Sequence, residues 1–148
     1  MRTVRVASLW VCVLAGGLAC SLAGCGLFAR HSSGPLIADA RSPITDVPVP
    51  AGFSLAGDSR SEMSGGQRIV DHKYTGTDDV LPVASFFKEQ MPKNGWKLDG
   101  TEQPSGKEAV LHFSKEKTTK PETCTVTVTA RAWTFDTAIR IRIGAAAK

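Results

Sequence analysis

The chain has few of the residues that carry acid–base or nucleophilic chemistry. Its 148 residues include four cysteines and three histidines, His31, His72 and His112. It contains neither the Gly-x-Ser-x-Gly turn of serine hydrolases nor a glycine-rich phosphate loop. The pair Asp71-His72 invites a metal or acid–base interpretation, but neighbours on a strand point to opposite faces. The sequence therefore predicts no catalytic residue, no metal ligand and no cofactor, and it predicts that the histidines are scattered on the surface.

The chain also lacks a strong excess of charge. It carries 18 Lys and Arg against 14 Asp and Glu, a formal net charge of +4. The lysines at 115, 117 and 120 are interrupted by glutamates at 116 and 122, which is typical of a solvated loop. Without a sustained basic stripe, nucleic acid is not expected as a partner.

The amino-terminal residues combine a basic start with a short apolar run. Arg2 and Arg5 precede an almost entirely apolar stretch at 6–18, which is shorter than the about 20 residues that cross a bilayer. Small residues then lead to Leu22-Ala23-Gly24-Cys25. This order is typical of a secretory signal, and the four residues resemble the lipobox of bacterial lipoproteins. The resemblance implies cleavage before Cys25 and lipid on that cysteine; an ordinary signal peptide with incidental cysteines is the alternative.

These features divide the chain into three parts. Residues 1–24 are predicted to be the signal peptide, and 25–46, rich in Gly, Ser, Pro and Ala, a lipid-anchored flexible linker. Residues 47–148 are predicted to form a single domain, in which Cys124 is a small buried apolar residue.

The lipid would hold the protein at a membrane of the cell envelope. The absence of Asp after Cys25 resembles lipoproteins of the outer membrane, where the organism has two membranes.

Hydrophobic periodicity predicts an α+β domain. Apolar residues spaced by three and four between Val83 and Met91 predict an amphipathic helix of about 13 residues, preceded by Asp78-Asp79. Alternating residues predict clear strands at 109–113, 123–131 and 137–143 and weaker strands at 58–63, 67–75 and 96–101. The order ββαββββ predicts an antiparallel sheet of about five to six strands with the helix on one face and a polar, open opposite face. The expected core groups Phe87 with Val83, Met91, Val126 and Ile141.

Three segments resemble a group of uncharacterised small envelope lipoproteins of bacteria. They are the proline-containing segment at 47–53 with which the domain begins, the helix end Met91-Pro92-Lys93-Asn94-Gly95-Trp96, and the threonine-rich strand at 124–128. The similarity covers residues 47–143. It implies one domain and supplies no mechanism.

Three functions fit these observations. The first is a non-catalytic module that has a structural role or binds another envelope protein. The residues of this chain predicted to contact such a partner are Trp133, Thr125, Thr127, Arg140 and Arg142. The second is a ligand-binding lipoprotein with a small pocket between helix and sheet. The third is a hydrolase with a site assembled from distant residues, which a close arrangement of His72, a carboxylate and a Ser or Cys would support. The first is preferred, with the membrane as partner through Cys25.

Overall fold

The computed structural model describes residues 34–102, 104–116 and 120–145. The predicted signal peptide, the lipobox with Cys25 and the first part of the predicted linker lie outside the described residues. No helix within the described ranges is long and apolar enough to cross a membrane.

One helix and seven strands form the described part of the chain. The helix α1 spans Val80–Gln90, and a 3-10 turn follows at Pro92–Asn94. The strands are β1 (Ser54–Leu55), β2 (Arg60–Ser64), β3 (Gln67–Gly76), β4 (Lys97–Glu102), β5 (Glu108–Lys115), β6 (Glu122–Arg131) and β7 (Asp136–Ala145). The predicted α+β order is confirmed, with the two-residue β1 as an addition.

All strands belong to one open antiparallel sheet. The strand order is β1-β3-β7-β6-β5-β4, and β2 also pairs with β3. The short β1 pairs with the end of β3 through Ser54↔Thr75, whereas β2 pairs with its beginning from Ser64↔Gln67 to Arg60↔Asp71. The strands β1 and β2 therefore share one edge of the sheet, and β4 forms the other.

The helix packs on one face of the sheet, because its apolar side chains recur on one side. Pro82 lies in the first turn of α1, where its missing N–H has no partner to lose. Asp79 occupies the N-cap position, although its side chain makes no capping hydrogen bond. Gly95 closes the following turn with φ 83°, a left-handed conformation that glycine adopts without strain.

The core is the one that the periodicity predicts. Phe87 is fully buried, and so are four residues that contribute from the helix and the sheet: Val83, Met91, Val126 and Ile141. Burial of this apolar surface is the main term that stabilises the domain. The opposite face of the sheet is polar, as predicted.

The amino-terminal segment at 34–50 packs against the sheet and the helix. Ile44 and Val47 are buried in the core, and an isolated bridge joins Ala38 to Pro50. The backbone N–H of Asp39 donates to the carbonyl of Val49 at 2.8 Å. The packed chain therefore begins before the linker boundary that composition placed at residue 46. Composition missed this segment because its few apolar residues follow no period.

Candidate functional site

Four of the predicted contact residues meet on the uncovered face of the sheet. Register places Thr125 opposite Arg142 and Thr127 opposite Arg140, on neighbouring strands β6 and β7. Both arginines are exposed, and both threonines are half-buried. Arg140 donates two hydrogen bonds to Asp71, from Nε to Oδ1 at 2.8 Å and from Nη2 to Oδ2 at 2.6 Å. This face can therefore offer hydroxyls and guanidinium groups in adjacent rows.

Trp133 lies apart from those four residues. It is 96 % exposed in the turn between β6 and β7, beyond the last pair of the ladder, Arg131↔Asp136. Phe135 in the same turn is 91 % exposed and has φ 54°. The structure thus confirms the predicted turn and separates Trp133 from the polar rows.

The histidines do not share one environment. His72 is only 5 % exposed and lies on the core face, so the expectation of a surface histidine is wrong for it. Asp71 points to the opposite face, as strand alternation requires. His112 lies on the open face and pairs with Glu102 through Nε2–Oε1 at 2.9 Å. Because β7 and β6 separate β3 from β5, His72 and His112 do not meet.

His72 is the centre of a short polar chain on the core face. Its Nε2 lies 2.7 Å from Ser61 Oγ, and its Nδ1 lies 3.1 Å from the hydroxyl of Tyr74. Ser61 belongs to β2 and pairs with Val70, whereas Tyr74 lies two residues along β3 on the same face as His72. A serine, a histidine and a third group are therefore in line, but the third group is a phenol where a hydrolase triad has a carboxylate.

Protonation fixes the direction of these hydrogen bonds. Burial lowers the pKa of His72 and raises the pKa of Tyr74 to about 12, so at neutral pH the imidazole is uncharged and the phenol keeps its proton. The buried phenol has no other partner among the described residues, and an unpaired buried O–H is costly. Tyr74 therefore donates to Nδ1 of His72.

The second ring nitrogen of a neutral imidazole must then carry the proton. His72 Nε2–H donates to Ser61 Oγ, and the serine keeps its own hydroxyl proton for another acceptor. In this tautomer His72 has no free lone pair with which to take the proton of Ser61. In this tautomer the arrangement presents the hydroxyl of Ser61 as a hydrogen-bond donor.

Ser61 lines a cavity between the amino-terminal segment and the beginning of β3, which we call the β2 cavity. Its volume is about 360 Å³. The lining residues are Pro43, Ile44, Thr45, Ser61, Glu62, Met63, Arg68 and Val70. Apolar walls with a few convergent polar groups are typical of small-molecule sites.

A cluster of four charged groups holds the cavity wall in place. Arg68 donates to both carboxylate oxygens of Asp46, at 2.7 and 3.0 Å, and to Glu122 at 2.9 Å. Lys115 Nζ donates to the same Asp46 at 2.7 Å and lies 5.2 Å from the centroid of the Trp96 ring. Burial raises the pKa of Asp46, but the hydrogen bonds from Arg68 and Lys115 outweigh it and lower the pKa to about 2. The segment at 43–46 is thereby fixed to the sheet.

The cavity does not lie where a pocket was expected from the sequence. Phe87, Met91, Leu111 and Val126 are fully buried and fill the described interface between α1 and the sheet. The β2 cavity lies beside this interface, against the edge strand β2. The candidate cavity therefore lies at the β2 edge and not at the location predicted between helix and sheet.

A larger cavity of about 840 Å³ opens at the turn between β4 and β5. Its serine, Ser105, accepts hydrogen bonds from the backbone N–H groups of Lys107 and Glu108 and donates to the carbonyl of Glu108. That hydroxyl is used by the turn itself. The β2 cavity is the better candidate because the hydroxyl of Ser61 remains available.

Cys124 is buried on the core face, as predicted. Burial, together with the charge of Asp46, raises the pKa of its thiol to about 12. The group is therefore a neutral thiol that packs as a small apolar residue.

Sequence reasoning missed Ser61, Tyr74, Arg68 and Asp46. A signal for Tyr74 exists, since Val70, His72 and Tyr74 alternate along one strand and share a face. No local sequence pattern indicates that Asp46 or Ser61 belongs to a site, because their partners lie far away in the sequence.

Comparison with known families matches residues 57–138, more than half of the chain, to the START domain-like family. The matched range contains β2, β3, α1, β4, β5, β6 and the beginning of β7. Comparisons with curated proteins and with solved structures find no match. By the extent of the family match, the chain belongs to the START domain-like family.

Proposed function

We propose that the protein is a non-catalytic ligand-binding module, that lipid on Cys25 holds it at a membrane of the cell envelope, and that the β2 cavity is its binding site. One observation carries the proposal: a polar chain runs from the buried Tyr74 through the buried His72 to the exposed Ser61, whose hydroxyl lies at the wall of a cavity of about 360 Å³. Membership of the START domain-like family supports a ligand-binding role.

The energetic cost of the polar chain supports a function beyond packing. His72 and Tyr74 lie on the core face of the sheet, most of whose other side chains are apolar, such as Val70 and Ile141. Burying polar groups costs free energy that their hydrogen bonds only offset. Aliphatic residues at the same positions would stabilise the core at least as well, so the polar chain favours a role in recognition.

Blocking the cavity tests the proposal. A fragment set is screened by amide chemical-shift mapping, with perturbations expected at residues 44, 45, 61–63, 68 and 70. Ser61→Phe places a ring in the cavity and is expected to abolish these perturbations. Arg60→Phe adds the same ring one residue away, on the other face of β2, and is expected to keep them. Fragments that bind elsewhere, or that bind Ser61→Phe equally well, would contradict the proposal.

The open face of the sheet supports a second candidate, a contact with another envelope protein. Thr125, Thr127, Arg140 and Arg142 lie in two adjacent rows there. A photo-crosslinking residue at Thr127 is expected to capture one discrete partner in cells, whereas the same residue at Lys88 on the helix is not. Equal capture from both positions would argue against a specific surface.

A further inference from the structure

We infer that the β2 cavity recognises a compact, mainly apolar molecule that presents a neutral hydrogen-bond acceptor, such as an amide or ester carbonyl, to the hydroxyl of Ser61. The inference deepens the proposed function and depends on it. It rests on the direction of the hydrogen-bond chain, the charges around the cavity and the chemistry of the cavity walls.

The direction of the chain makes Ser61 a donor toward the cavity. Tyr74 donates to His72 Nδ1, so His72 Nε2–H donates to Ser61 Oγ over 2.7 Å. With one lone pair so engaged, the serine proton has no acceptor among the described residues. A hydroxyl oriented in this way recognises an acceptor atom and leaves a ligand that lacks one with an unsatisfied partner.

The charges around the cavity disfavour an anionic acceptor. Arg68 lines the cavity, but its guanidinium already binds the carboxylates of Asp46 and Glu122. Lys115, in the same charged cluster, is bound to Asp46 as well. A ligand carboxylate could bind Arg68 or Lys115 only by breaking one of these ion pairs, whereas a neutral carbonyl needs no charged partner.

The walls and the volume define the remainder of the ligand. Ile44, Met63 and Val70 supply apolar surface. A volume of about 360 Å³ accommodates on the order of ten non-hydrogen atoms, at roughly 30 Å³ for each water-sized group. The ligand is therefore a small ring or branched chain carrying one carbonyl.

Four ring compounds of matched shape test this assignment on the full-length protein. They are cyclohexanecarboxamide, cyclohexanecarboxylate, cyclohexylmethylammonium and methylcyclohexane. Titrations followed by amide chemical shifts give each affinity. We expect the carboxamide to bind about tenfold more tightly than the carboxylate. Ser61→Ala is expected to weaken carboxamide binding about 3–10-fold, the value of one hydrogen bond, and to leave methylcyclohexane unchanged.

Tyr74→Phe tests the positioning role of the chain without altering the cavity wall. Without the phenol, His72 is free to place its proton on Nδ1 and to accept a hydrogen bond from Ser61 at Nε2. The carboxamide preference should then fall, while binding of methylcyclohexane stays the same. The nitrogen chemical shifts of the His72 ring provide a direct readout, because the wild-type protein should show the Nε2–H tautomer and Tyr74→Phe should show a smaller share of it.

The outcomes separate the inference from the proposed function. If none of the four compounds perturbs the cavity residues, the cavity is not a ligand site and both fail. If the compounds bind but the carboxylate equals the carboxamide, or Ser61→Ala leaves carboxamide affinity unchanged, the inference fails and the proposed function stands. An Nδ1–H tautomer of His72 in the wild-type protein would also overturn the inference.

Discussion

Asp46→Asn tests how the amino-terminal segment is held to the sheet. Asp46 accepts two hydrogen bonds from Arg68 and one from Lys115, and its side chain is 22 % exposed. The carboxamide keeps the shape of the side chain and removes its charge. Arg68 then retains Glu122 as its charged partner, whereas Lys115 loses its carboxylate and keeps the Trp96 ring.

The expected loss follows from the pKa of Asp46. Burial alone would raise that pKa, but the bonds from Arg68 and Lys115 lower it from 3.8 to about 2. A difference of this size between folded and unfolded states is worth about 1–2 kcal/mol at neutral pH, after allowing for screening by water. We therefore expect Asp46→Asn to lower the free energy of unfolding by about 1–2 kcal/mol at pH 7.

The pH dependence provides the sign test. Because the folded pKa lies below the unfolded one, the stabilisation is complete above about pH 4 and is lost as the pH falls toward about 2. The asparagine variant lacks this dependence. The difference between the two proteins should thus be largest at neutral pH and disappear near pH 2.

Urea unfolding followed by tryptophan fluorescence measures both effects, with Asp71→Asn as the matched control. Asp71 also binds an arginine through two hydrogen bonds, but its pair with Arg140 is more exposed, at 35 % and 47 %. An exposed pair contributes between zero and about 1 kcal/mol. If Asp71→Asn costs as much as Asp46→Asn, or if the cost at Asp46 is the same at both ends of the pH range, the reasoning is refuted.

Three further predictions address the core, the thiol and the anchor. Phe87→Ala should lower the free energy of unfolding by about 3–5 kcal/mol because it empties a fully buried site; a nearly unchanged urea midpoint would contradict this. Cys124 should react with a thiol reagent only after unfolding, since burial raises its pKa to about 12; rapid labelling of the folded protein would oppose it. Cys25→Ser should abolish lipid labelling and association with membranes, and a variant that still carries label would refute the anchor.

Long periodic segments made much of the fold predictable. In β6, Cys124, Val126 and Val128 are buried while the intervening threonines lie on the open face, as alternation predicts. The helix is equally clear, because its buried positions repeat at spacings of three and four. Repetition over ten or so residues outweighs the uncertainty of any one position.

The candidate site was not predictable in the same way, because its parts are not local. Arg68 lies 22 residues from Asp46, and Asp46 lies 69 residues from Lys115. No spacing rule connects residues that only the folded sheet brings together. His72 is a different case: its alternation with Val70 and Tyr74 is a signal for the core face, but its polarity favoured the predicted surface position. The hydrogen bonds of His72 to Ser61 and Tyr74 reverse that preference.

The two poorly predicted features, the packed segment and the cavity, are one structural unit. Ile44 and Thr45 form a wall of the cavity, and the next residue, Asp46, is bound to Arg68, which also lines the cavity. The family match begins at residue 57, so this wall lies outside the matched range. Family membership alone therefore does not specify the cavity. Its shape depends on the segment at 43–46, and a substitution that loosens Asp46 should alter ligand binding as well as stability.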